Sequence, residues 1–183
     1  MPKTGGTWVE SAMTALHGPP QMIGRGHDSL EQAGLTYEGA FGVLRDPESW
    51  YFSLYFYMHK TAAWRRSLLA WGEGQDDFLS VLSGWVDPSR LPQPALRGGL
   101  VDVDVPWPPD RSLYAYLIDY YAFPRIQLFD FALLHAYFPS AGPPINVGRG
   151  RRQATTEERL RLREDICLYQ GLQSQTTRAV KHR

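Results

Sequence analysis

Pro2-Lys3-Thr4-Gly5-Gly6-Thr7-Trp8 is the stretch on which the reading of this 183-residue chain turns. Directly after it, Val9, Met13 and Leu16 recur at helical spacing, and Gly18-Pro19-Pro20 stops the pattern. A glycine pair leading into a helix lets the backbone approach an anion closely. Successive N–H groups and the positive helix end can then hold a phosphate. Lys3 adds a point charge, and Thr4 and Thr7 add hydroxyl donors. Thr7 is also a candidate N-cap, so an ordinary glycine turn capped by Thr7 would produce the same string without a ligand. The order is not that of a Walker A loop, because Lys3 stands before the glycines. Lysine occurs only at Lys3, Lys60 and Lys181. A lysine at this point therefore calls for a reason.

Outward from the loop, residues 21 to 38 are mixed and polar, with a short helix expected around Ser29 to Ala33. Ala40 to Leu44 reads as a short buried strand ended by Arg45-Asp46-Pro47. Pro47 suits a first helical turn and Asp46 its cap, which predicts a helix from about Pro47 to Lys60. That helix is apolar almost all round, with Ser53 a small polar exception, and should be buried. A second helix is expected over Asp77 to Trp85. A Pro- and Gly-rich surface excursion follows over 86 to 110, with Val101 to Val105 as a short strand inside it. Arg111 to Tyr121 reads as helix, Ile126 to Phe131 as strand and Ala132 to Tyr137 as helix. Pro143 to Arg152 is a basic, Gly-bearing loop. Thr155 and Glu158 form a capping-box pattern ahead of a helix to about Leu172, with Leu162, Ile166 and Tyr169 on one face. Residues 173 to 183 read as a polar, flexible tail of a single domain over 1 to 183. Alternating strands and helices argue for α/β layering.

Composition narrows the classes. Nineteen basic and nineteen acidic residues cancel, which disfavours a non-specific nucleic-acid binder. Apolar residues make up 43%, enough for a real core. Cys167 is the single cysteine, and no stretch approaches the ~20 apolar residues of a membrane span. These features, with no apolar leader segment, predict a soluble cytoplasmic protein without a membrane span.

Pro2 to Trp8 resembles the 5′-phosphosulfate loop of the sulfotransferase family, Pro-Lys-Ser/Thr-Gly-Thr/Ser-Thr-Trp. The family's second signature is a strand ending in Arg, followed by a helix with Ser eight positions on. Arg45 and Ser53 have that order and spacing. The resemblance covers residues 2 to 60 well and 145 to 172 loosely. It implies a three-layer α/β fold like that of P-loop nucleotide hydrolases, with a mostly parallel sheet flanked by helices. In relatives a central strand precedes the loop. Here Met1 alone precedes Pro2, so the expected fold has its first strand truncated.

The resemblance further implies transfer of a sulfuryl group from 3′-phosphoadenosine 5′-phosphosulfate (PAPS), the nucleotide co-substrate, to a hydroxyl or amine acceptor, with no metal required. Lys3 would contact the bridging oxygen and the 5′-phosphate. Thr4, Gly5, Gly6 and Thr7 would donate to the same phosphate. Trp8 would lie against the adenine, or serve as a core residue at the start of its helix. Arg45 and Ser53 would hold the 3′-phosphate, and Arg149 and Gly150 are candidates for a loop that closes on it. His27 is the candidate catalytic base, with His17 and Glu10 as alternatives, because histidine titrates near neutrality. A P-loop kinase is disfavoured by the missing lysine after the glycines. A non-catalytic nucleotide-binding or structural descendant of the sulfotransferase fold remains the second reading.

Overall fold

The computed structural model describes residues 6–19, 21, 29–60, 62–91, 107–121, 125–134 and 152–181. Among them, seven α-helices and a two-stranded parallel sheet make an α/β protein. The first strand, β1, is Phe41–Leu44, and it ends where the sequence predicts. Asp46 then caps helix α2, Pro47–His59, its Oδ1 accepting from the Ser49 N–H at 2.8 Å. Pro47 opens the helix at a position where its missing N–H costs nothing. Trp50, Tyr51, Leu54 and Met58 of α2 are buried. The expected all-round burial fails at Phe56 and Tyr57, which lie exposed because α2 keeps one face toward solvent.

The second strand, β2, is Gln127–Asp130. It pairs with β1 in parallel, Phe41 opposite Gln127 and Leu44 opposite Asp130. Parallel pairing needs a long crossover. The intervening chain supplies one with α2, α3 (Arg65–Trp71), α4 (Phe78–Val86) and α5 (Leu113–Tyr120). Asp77 and Ser112 cap α4 and α5 with their side-chain oxygens. Leu91 and Trp107, which flank the 92–106 excursion, are both buried. The strand expected at Val101 to Val105 lies outside the described residues.

Side chains alternate across the two strands. Val43 faces one side and joins a small cluster with Trp8 and Leu134, against which Phe129 packs. Trp8 comes from the first turn of α1, Gly6–His17. Leu44 and Leu128 face the other side and join the main core, with Trp50, Tyr51, Leu82, Trp85 and Leu117. The sheet is thus covered on both faces. The helix α1 begins at Gly6, two residues earlier than a Thr7 cap would set, so Thr7 lies within it and not at its N-cap. It ends where Gly18 turns to φ +85°. Ser29 to Ala33 forms a hydrogen-bonded turn and not a helix.

After β2, a tight turn runs over Phe131–Leu133. The rest of the helix expected to Tyr137 lies outside the described residues. The capping box is present: Thr155 Oγ1 accepts from the Glu158 N–H, and Glu158 Oε2 accepts from the Thr155 N–H. It opens α6, Thr156–Arg161, and Leu162 is a buried joint to α7, Arg163–Lys181. Ile166 and Tyr169 pack on the core as the periodicity predicts. The helix continues to Lys181 beyond the expected end near Leu172. Among the described residues, no helix is long and apolar enough to cross a membrane.

Candidate functional site

In open parallel sheets, ligands bind in the crevice beyond the carboxyl ends of the strands. Here that edge is built by Arg45 and Asp46 after β1, and by Asp130 and Phe131 at and after β2. Arg45 is half-buried. Its Nε donates to Ser49 Oγ at 2.8 Å, and its guanidinium carbon stands 4.8 Å from the centroid of the Phe131 ring. Phe131 in turn packs on the cluster that contains Trp8. A chain of direct contacts therefore joins Arg45 to the first turn of α1. The amino end of α2 opens at this edge and carries a partial positive charge, and Trp8 from the first turn of α1 lies in the neighbouring cluster.

Ser53 is half-buried, one turn beyond Ser49 on the same face of α2, roughly 6 Å further along the axis. The side chain of Arg45 thus engages the nearer serine. Sequence reasoning missed Ser49. Its signal was the spacing from Asp46, three residues earlier, which is that of a cap to the N3 position.

Two carboxylates border the arginine, and both have hydrogen-bonding partners. Asp46 accepts from the N–H and from the hydroxyl of Ser49. Asp130, buried at the end of β2, accepts from the Ala132 N–H at 2.7 Å, the Tyr169 hydroxyl at 2.5 Å and the Gln173 amide. Burial raises the Tyr169 hydroxyl well above its ordinary pKa, and its bond to Asp130 raises it further. Tyr169 is accordingly a hydrogen-bond donor across the physiological range.

A buried polar chain supports the Arg45 backbone from behind. The Tyr114 hydroxyl donates to the Arg45 carbonyl at 2.7 Å. The Tyr114 N–H donates to the Tyr51 hydroxyl at 3.1 Å, and that hydroxyl donates to Asp165 Oδ2 at 2.9 Å. Ser112 donates to the other oxygen of Asp165. Burial pushes the Asp165 carboxyl up to about 6, against the hydrogen bonds from Ser112 and Tyr51, which favour its charged form. Burial also holds both tyrosines well above their ordinary pKa. In the sequence, Tyr51 and Tyr114 sit inside apolar helical runs, where only the choice of Tyr over Phe hinted at polar partners.

The other candidates fall as follows. Trp8 is 2% exposed and packed among Val43, Leu134 and Phe131, the core role that the sequence left open for it. Gly6 and Thr7 open α1. Glu10 is exposed one turn into that helix. His17 is exposed at its far end, roughly 15 Å from Thr7. Lys3, Thr4, Gly5, His27, Arg149 and Gly150 lie outside the described residues. Just beyond the last two, Arg152 pairs with Glu158 through both guanidinium nitrogens. It also lies over Phe52, with its guanidinium carbon 4.3 Å from the ring centroid. Among the described residues, no group of three or more His, Cys, Asp or Glu side chains is placed to hold a metal ion.

Comparison of the chain with protein-family models, with curated proteins and with solved structures returns no match.

Proposed function

We propose that the chain is a sulfotransferase that uses PAPS as donor, built on a three-layer P-loop-like fold with a mostly parallel sheet. The observation that carries this reading is the placement of Arg45. It follows a parallel strand directly, precedes a capped helix that bears Ser53, and connects through Phe131 to the helix that the Lys3–Trp8 segment leads into. An anion site made from an arginine at a strand end and the amino end of a capped helix suits one phosphate of such a nucleotide.

In this scheme the 3′-phosphate lies at Arg45 and Ser53, and the 5′-phosphosulfate lies at Lys3 through Thr7, with Arg149 and Gly150 closing over the 3′ end. The acceptor oxygen or nitrogen forms a bond to sulfur while the bond from sulfur to the bridging phosphate oxygen breaks. The acceptor proton passes to a base, and the electron pair stays on the departing adenosine 3′,5′-bisphosphate. Lys3 stabilises that developing charge. His27 is the proposed base. Glu10 is the alternative better placed than His17, since it lies one turn from the loop.

The test is turnover. The chain is incubated with PAPS and a panel of hydroxyl and amine acceptors, and release of adenosine 3′,5′-bisphosphate is followed. Acceptor-dependent release is expected, and Lys3→Ala is expected to lower its rate by about 100-fold or more while changing nucleotide affinity less. Unchanged turnover in that variant would remove Lys3 from the chemistry.

A second reading is a non-catalytic descendant of the same fold. Two observations favour it: Arg45 already has internal partners in Ser49 and Phe131, and Trp8 is enclosed. Nucleotide binding without turnover on any acceptor is its signature.

A further inference from the structure

We propose that Tyr114 is a positioning residue for Arg45, and that it sets how well the site distinguishes a nucleotide with a 3′-phosphate from one without. The inference rests on the reading of Arg45 as the 3′-phosphate ligand and names the element that aims it.

The Arg45 carbonyl falls between two hydrogen-bonding systems. The strand ladder ends at Leu44. The first helical bond of α2 runs from the Trp50 N–H to the Asp46 carbonyl. The N–H that would continue the helical pattern back to Arg45 belongs to Ser49, and the Asp46 carboxylate takes it. At this junction between ladder and helix the Arg45 carbonyl accepts from the Tyr114 hydroxyl at 2.7 Å. That bond fixes the orientation of the peptide that carries the arginine side chain.

Tyr114 suits the task because it is itself held. It is 0% exposed, with its ring against Trp50 at 5.4 Å between centroids. Its N–H is fixed by Tyr51, whose hydroxyl is fixed by Asp165. The chain of bonds ties α5, α2 and α7 to one carbonyl at the strand end. An arginine that grips a phosphate through two nitrogens needs its guanidinium plane set within about 10–20°. Support behind the peptide therefore translates into selectivity at the ligand.

The experiment measures dissociation constants for adenosine 3′,5′-bisphosphate and for 5′-AMP with the wild type, Tyr114→Phe, Arg45→Ala and the double variant. Tyr114→Phe keeps the ring and removes only the hydroxyl. It is expected to weaken the bisphosphate by about 3- to 10-fold and to leave 5′-AMP within about twofold. In the Arg45→Ala background the same change is expected to cost nothing, because residues that act through one another are non-additive. Tyr51→Phe, which frees the Tyr114 N–H, carries the same expectation and serves if Tyr114→Phe does not fold. An equal loss for both nucleotides, or a full loss retained without Arg45, would overturn the positioning role and leave the proposed function standing. A wild type with no preference for the bisphosphate would overturn both.

Discussion

Asp165 is the residue at which burial and charge conflict most sharply. The residue is 3% exposed, with neutral donors from Tyr51 and Ser112 but no cation in hydrogen-bonding contact among the described residues. Desolvation prevails over those two bonds and lifts its pKa from 3.8 to about 6. A raised folded-state value means that the native protein holds this proton more tightly than the unfolded chain. The resulting stability is complete below the unfolded value and is lost as pH rises through about 6. Between pH 5 and pH 7 the expected loss is about 1 kcal/mol, or a fall in Tm of about 2–4 °C. Glu158, held low by its Arg152 partner, titrates below that window and acts with the opposite sign. Thermal unfolding of the wild type and Asp165→Asn across this range checks the assignment. The variant is expected to flatten the slope, and an unaltered slope would place the titration elsewhere. None of this was legible in the sequence. Tyr51 and Asp165 stand 114 positions apart, and no local spacing records a partner at that distance. Arg45 was legible, because a strand end, a cap and a helix start fall within three residues.

Among the elements, those with chemical punctuation were found and those without were missed. Helix α2 announced itself by Asp46-Pro47, and α6 by the Thr155–Glu158 box. Helix α3 went unassigned because Trp64 at its N-cap offers no side-chain bond to the backbone. The end of α7 was misjudged because its last turns are polar and carry no apolar stripe to read. The close approach of α3 and α4 was also invisible. Gly84 of α4 lies against the backbone of α3, so that a β-carbon there would sit 2.2 Å from the Trp71 carbonyl oxygen. Replacing a mid-helix glycine by alanine ordinarily stabilises by about 1 kcal/mol. Here the clash is with backbone and cannot be relieved by a rotamer. Overpacking of this kind costs roughly 1–3 kcal/mol, so the net sign should reverse. Gly84→Ala is expected to lower Tm by a few degrees in calorimetry. A rise would mean that α3 and α4 separate freely.

At the scale of the whole molecule, the α/β class was legible from alternating elements, and the parallel pairing of Phe41–Leu44 with Gln127–Asp130 follows from the long crossover between them. The carboxyl edge of that pair gathers features of distant origin: the capped start of α2, Arg45, the Phe131 ring that packs on the Trp8 cluster, and the support from Tyr114 on α5. In the proposed function one nucleotide bridges the two signatures, Lys3 to Trp8 and then Arg45 with Ser53. Its acceptor leaves no comparable mark, because aromatic side chains at a pocket and in a core look alike in sequence. The central claim is therefore that this edge reads two phosphates on one ligand. Calorimetric titration of the wild-type chain with adenosine 3′,5′-bisphosphate, with 5′-AMP as the comparison, tests it most directly. The account requires the bisphosphate to bind at least about 10-fold more tightly, a difference of about 1.4 kcal/mol, and Arg45→Ala to abolish the preference. Equal affinities in a folded sample, or no binding of either nucleotide, would contradict it.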